Sequence, residues 1–169
     1  MRGSRAAAGV LLATCLLLSG CGHRWKSYDL RDGSWVKFPM HPLRHTTPIK
    51  TKGGKTTITL YQCSIKNRSY FAGSYPLPEG TTLTPAELLD AERDRGMENS
   101  GFYLVSDDPF KEKTYEGREL ILDSTKLPQR IRCRNFIVGK RLHTLFVVGG
   151  KDKEADEATV KFFASFSVS

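Results

Sequence analysis

From Trp35 onward the chain alternates apolar and polar residues in short runs broken by glycine turns. This period-two pattern reads as a series of strands. Ser34-Trp35-Val36-Lys37-Phe38 alternates until Pro39 stops it, and a proline-rich stretch with Pro42 and Pro48 follows. Lys52-Gly53-Gly54-Lys55 predicts a hairpin, because Gly-Gly accepts the positive φ of a tight turn. Thr56 to Ser64 alternates again, with Ile58 and Leu60 on one face and Tyr61 and Cys63 on the other. Asn67-Arg68 turns the chain into a strand over Tyr70–Tyr75. Further strands are expected around 102–105, 115–122, 129–138 and 141–148, the last two joined at Gly139-Lys140, with Gly149-Gly150 ending the sheet.

Two helices interrupt this series. In Thr84-Pro85-Ala86-Glu87 the threonine can accept a hydrogen bond from a free backbone N–H, Pro85 suits the first helical position, and Glu87 can return a bond to the cap. The helix runs on to about Met97, with Gly101 as its terminator. Asp152 can cap a closing helix in which Ala155, Ala158, Phe162, Phe163 and Phe166 recur at three- and four-residue steps. Strands, a helix, more strands and a helix imply an α+β fold, an antiparallel sheet covered by helices.

The N-terminus reads as an address. Arg2 and Arg5 precede an apolar run from Ala6 to Leu18, thirteen residues, short of the roughly 20 that a membrane-crossing helix needs. Leu18-Ser19-Gly20-Cys21 follows, with small residues that fit a peptidase groove and a thiol that can take a diacylglycerol. This resembles the lipobox of bacterial lipoproteins. It implies cleavage before Cys21 and a mature chain tethered to a membrane without spanning it. The expected division is a signal peptide over 1–20, a lipidated tether over 21–33 and a single domain over 34–169. Gly22 favours the outer over the inner membrane, since an aspartate there would resemble an inner-membrane retention signal.

The chain carries 26 Lys and Arg against 18 Asp and Glu. Residues 21–56 hold eight of the basic residues and only Asp29 and Asp32, so the excess lies next to the anchor. Such a stretch can rest on anionic head groups or simply be solvated. Export, with no basic helix and no aromatic stacking platform, argues against nucleic acid as a partner. Cys63 and Cys133 both fall in expected strands of an exported chain. The oxidising compartment leaves a Cys63–Cys133 disulfide open beside the alternative of two buried thiols.

A family likeness rests on four stretches: Val36-Lys37-Phe38-Pro39 with the Gly-Gly hairpin, Tyr115-Glu116-Gly117-Arg118-Glu119, Arg134 to Leu145, and Phe162-Phe163-Ala164-Ser165-Phe166. Together they resemble the PsbP/Mog1-like superfamily, with His143 where relatives often carry an aromatic. The resemblance implies an α-β-α sandwich. The better-known members, extrinsic photosystem subunits and nuclear import factors, bind partners. No functional residue transfers from them, because unrelated functions share one fold.

Catalytic chemistry finds little purchase. His41 and His45 have helical spacing, but the prolines around them deny the helix. No Gly-x-Ser-x-Gly elbow occurs, and the Gly-Gly pairs lack the Lys-Ser/Thr of a phosphate cradle. Asp107-Asp108 beside Pro109 reads as a turn more readily than as a calcium site. His143 reads as a sheet-face histidine satisfied by a neighbour. Tyr70, Phe71, Tyr75 and the three phenylalanines of the last helix read as core. The reading that remains is a lipid-anchored envelope protein without catalytic residues, cofactor or metal, which binds an envelope protein or polymer. The alternatives are an enzyme or small-ligand binder with a site assembled from distant residues, and a surface protein whose basic hairpin touches anionic lipid or cell wall.

Overall fold

The structure, a computed structural model, describes residues 24–98, 100–112, 114–151 and 156–169. Cys21 and the rest of the export segment lie outside the described residues, as do Asp152 and Ala155. The described elements run β1 (Lys26–Asp29), β2 (Ser34–Phe38), β3 (Leu43–Thr51), β4 (Gly54–Ile65), β5 (Arg68–Pro76), α1 (Pro85–Met97), β6 (Phe102–Lys111), β7 (Glu116–Ser124), β8 (Gln129–Val138), β9 (Arg141–Gly150), α2 (Glu157–Ala164) and β10 (Ser167–Val168).

Two antiparallel sheets result. The larger has the order β3-β4-β5-β9-β8-β7-β6, and the smaller is β1-β2-β10. Strand alternation divides the large sheet into two unlike faces. Tyr61, Tyr70, Ala72, Leu145, Val147 and Phe136 share one face in register. They bury against Val36 and Phe38 of β2 and Phe162, Phe163 and Phe166 at the end of the chain. Ile58, Leu60, Phe146, Leu120 and Leu122 point to the other face, along which α1 lies.

The α-β-α sandwich expected from the sequence does not form. Strands make up most of the described chain, and neither helix covers the sheet. The cause is local. Residues 26–29, expected as tether, pair with β2 at Lys26↔Phe38 through Asp29↔Trp35, and β10 adds to the opposite edge of β2. A small sheet with one eight-residue helix therefore closes the first face. On the second, α1 buries only Leu88, Leu89 and Glu92 and leaves much of the sheet open.

Several boundaries follow from cap chemistry. Thr84 accepts from the Glu87 N–H, and the Glu87 carboxylate accepts from the Thr84 N–H, the reciprocal cap that the spacing predicts. The helix ends at Glu98, and Gly101, at φ +74°, turns the chain into β6. The last helix is capped by Asp156, whose carboxylate accepts from the Thr159 N–H at 2.9 Å; it ends before Phe166. β9 runs through Gly149 and ends at Gly150, as the glycine pair predicts. Pro48 and Pro109 also lie within strands, which β3 and β6 tolerate because both are edge strands of the large sheet. Asp107 and Asp108 are accordingly in β6 and not in a turn.

Candidate functional site

Of the two alternatives left open for Cys63 and Cys133, the structure has the buried thiols: both are free and buried. Cys63 is in register with Tyr70 and faces the aromatic core, whereas Cys133 pairs with Phe146 on the opposite face. Three strand spacings separate β4 from β8, about 14 Å, against the roughly 7 Å Cα limit for a bridge. Burial pushes the Cys63 thiol up to about 11 and the Cys133 thiol up to about 12. Both are protonated at neutral pH and poor nucleophiles.

His143 belongs to a buried polar cluster that no local motif announces. It lies opposite Ser74 in the β5–β9 register, and the loop between β1 and β2 brings Asp32 beside both. The Asp32 carboxylate accepts from the Ser34 N–H at 3.1 Å and from the hydroxyls of Ser34 and Ser74. Arg141 places Nε 3.5 Å from the same carboxylate and donates to Ser74 Oγ at 3.0 Å. Burial raises Asp32, but the hydroxyl and amide donors and the nearby imidazole outweigh it and hold the carboxyl below its usual range. Burial pushes His143 down to about 4, against the pull of Asp32.

Serine, histidine and aspartate thus meet without forming a triad. The serine hydroxyl bonds to the aspartate, and His143 Nδ1 has no partner among the described residues. A general base must reach the hydroxyl it deprotonates. Here the imidazole instead stacks on Phe136 at 5.5 Å and meets Phe166 edge-on at 5.2 Å. His143, Ser74 and Ser34 are all buried. The cluster ties the β1–β2 loop to the large sheet and presents no nucleophile to a substrate.

The other described histidines, His41 and His45, are not brought together with it. His41 lies against the Tyr28 ring at 5.4 Å, and His45 sits exposed on β3 opposite Leu60. No group of three potential metal ligands occurs among the described residues. Asp107 is engaged by Arg93 at 2.7 Å and Arg118 at 3.2 Å, and Asp90 by Arg118 at 2.7 Å, a network that fastens α1 to β6 and β7. The aromatics are core in the main: Tyr70 and Tyr75 are buried on opposite faces, and Phe162, Phe163 and Phe166 are buried together. Phe71 is half-buried and stacks on Phe146 at 4.3 Å.

The open face holds a concavity that combines an apolar wall with polar side chains. A groove of about 390 Å³ runs between α1 and the sheet. Ile58, Leu60, Leu120, Leu122, Ile131 and Phe146 make its apolar wall. Cys133, Asn135 and Thr144 form a small polar floor, with the thiol 3.4 Å from Asn135 Oδ1 and 3.6 Å from Thr144 Oγ1. On the helix side stand Gly96 and the Glu92–Arg95 pair, with Tyr75 Oη donating to Glu92 at 2.9 Å. Predicting this groove from sequence requires the strand register, because its lining comes from β3, β4, β7, β8, β9 and α1.

The solution structure of cyanobacterial PsbP, CyanoP from Synechocystis, superposes with a TM-score of 0.61 at 14% identity, covering 99% of this chain and 98% of that one. The fold is PsbP-like. A Pseudomonas aeruginosa protein of unknown function, described as a putative regulator, aligns at a TM-score of 0.40 and 9% identity over 77% of this chain and 85% of its own. No family model matches the chain, and no curated protein matches it by sequence. The PsbP-like fold establishes architecture alone, so function must be argued from this chain's own residues.

Proposed function

We propose that this chain is a lipid-anchored, non-enzymatic binding module of the bacterial cell envelope, moored at the outer membrane through an acylated Cys21. The observation that supports it is the ordered series Arg2 and Arg5, a thirteen-residue apolar run, and Leu18-Ser19-Gly20-Cys21. No helix among the described residues is long and apolar enough to cross a membrane, so an anchor of this kind would supply the attachment. Stable mooring takes two or more acyl chains, which a diacylglyceryl cysteine provides. Cys21→Ala is expected to abolish fatty-acyl labelling and shift the protein out of the membrane fraction. Undiminished labelling of the variant would refute anchoring through this residue.

The groove beneath α1 supports a second reading, a binder of a small apolar ligand. Its volume falls within the 300–1,000 Å³ range of small-molecule sites, and an apolar wall above a few polar atoms is the usual composition of such sites. Gly96 offers a clean test, since a Cβ there meets nothing within 4 Å. Gly96→Ala is expected to raise stability by up to about 1 kcal/mol through helix propensity. Gly96→Leu is expected to fill the groove and abolish binding of an environment-sensitive apolar dye while the fold stays intact. Dye binding unaffected by Gly96→Leu would reject the groove as the site.

A further inference from the structure

We propose that one end of this domain lies on the surface of an anionic phospholipid bilayer; the orientation rests on the anchored reading above. Strand register defines the end. Ser69↔Val148, Gln129↔Gly150 and Asp123↔Arg130 place the β4–β5 turn, the end of β9 and the β7–β8 turn side by side. The start of β1 joins them, because Trp25 packs edge-on against Tyr70 with ring centroids 5.6 Å apart.

Five exposed cations gather there: Arg24, Lys26, Lys66, Lys126 and Lys161. None has an ion-pair partner among the described residues. Lys161 reaches over the Trp25 ring at 5.4 Å. Lys66 sits at the turn tip in the left-handed region, φ +54°, a conformation that ordinarily favours glycine or asparagine. Among the described residues, the acids of this end are mostly spent. Asp123 is paired with Arg130 at 2.6 Å and Lys151 at 2.9 Å, and Asp156 with Arg68. Glu157 in the first turn of α2 is exposed. Apolar side chains stand among the cations, with Met40 47%, Leu127 55% and Val160 50% exposed. A depression of about 430 Å³ opens between Trp25, Pro39, Ile65, Lys66 and Tyr70.

Chain length supplies the second argument. Only Gly22 and His23 lie between Cys21 and Arg24, so over three Cα–Cα steps the folded body begins at most about 11 Å from the acylated residue. That distance is comparable with the Debye length of about 8 Å at physiological ionic strength, so these cations feel a charged surface. Interspersed cationic and apolar side chains suit the boundary between head groups and acyl chains. The other basic cluster, Lys50, Lys52 and Lys55, lies at the far end of β4. That strand is twelve residues long, which puts the hairpin roughly 40 Å away.

The test is lysine-by-lysine amine labelling of the mature acylated protein on vesicles of phosphatidylcholine alone and of phosphatidylcholine with phosphatidylglycerol. Lys26, Lys66, Lys126 and Lys161 are expected to be protected severalfold on the anionic vesicles and to regain reactivity at high salt. Lys50, Lys52 and Lys55 are expected to stay reactive throughout. The surface variant Lys26→Glu/Lys66→Glu should lower protection at Lys126 and Lys161 on the same vesicles. Flotation with phosphatidylcholine vesicles reads the anchor separately. Flotation without selective protection overturns the orientation and leaves the anchor standing, whereas protection on anionic vesicles without flotation on neutral ones supports the surface and refutes the anchor. Protection by a soluble anionic wall polymer, and not by vesicles, overturns the proposal in favour of a cell-wall contact.

Discussion

Phe162→Ala is expected to cost about 3–5 kcal/mol of folding stability, the range for truncating a fully buried aromatic. Phe162 is 0% exposed and stands where the two sheets meet. Its ring lies 5.5 Å from Phe38 of β2, 5.3 Å from Tyr70 of β5 and 5.7 Å from Phe163. Deleting it opens a void whose walls are two hydrogen-bonded sheets, and such walls relax little, so the cavity penalty adds to the lost transfer free energy. Urea unfolding should show a lower midpoint at unchanged slope, as a purely native-state cavity requires. Val160→Ala, on the exposed side of the same helix, separates packing from helix propensity and should change stability by well under 1 kcal/mol. A Phe162→Ala loss no larger than that of Val160→Ala would show that the small sheet and α2 do not depend on this contact.

Features set by near neighbours in the chain were legible in the sequence. The Thr84–Glu87 cap, the hairpins at Gly53-Gly54 and Gly139-Lys140, and the inward and outward sides of β4 all follow from residues within four positions of one another. Features that depend on pairing between distant strands were not legible. Residues 26–29 carry no sustained period of their own and become a strand only because β2 offers an edge. Cys63 and Cys133 look equivalent in sequence, yet their positions in the pleat put them on opposite faces. Gly117 looks like any strand glycine, although a Cβ there would stand 2.2 Å from the Asn135 carbonyl oxygen. The prolines at 48 and 109 misled for the same reason, because only sheet order shows that their strands are edges. Both candidate sites belong to this second class. The groove and the Asp32–Ser74–Arg141–His143 cluster each draw on segments separated by tens of residues.

That cluster carries the second large effect. Asp32→Ala is expected to cost about 3 kcal/mol, because it strands Ser34, Ser74 and Arg141, whose polar atoms now converge on one carboxylate. Asp32→Asn should cost less, since an amide oxygen keeps part of the acceptor role. The two variants also differ from the wild type in acid. His143 is pushed down to about 4 from an ordinary value near 6.5, so between those limits the unfolded chain takes up a proton that the folded chain refuses. Stability contributed by the neutral imidazole is therefore full above pH 6.5 and declines as pH falls towards 4. Asp32 pulls the His143 pKa upward; its neutralisation should move that pKa lower still and extend the decline below pH 4. His143→Phe, a ring of similar shape for the stack on Phe136, should remove the histidine's share of the decline between 6.5 and 4, leaving only that of the carboxylates held below their usual range, such as Glu119 and Asp123. Urea midpoints for the wild type, Asp32→Asn and His143→Phe from pH 7.5 to about 3 would measure these slopes. A histidine whose removal left the acid slope untouched would not be the buried neutral group that this packing requires. Loss of a measurable activity in His143→Phe at unchanged stability would reopen the case for chemistry at this cluster.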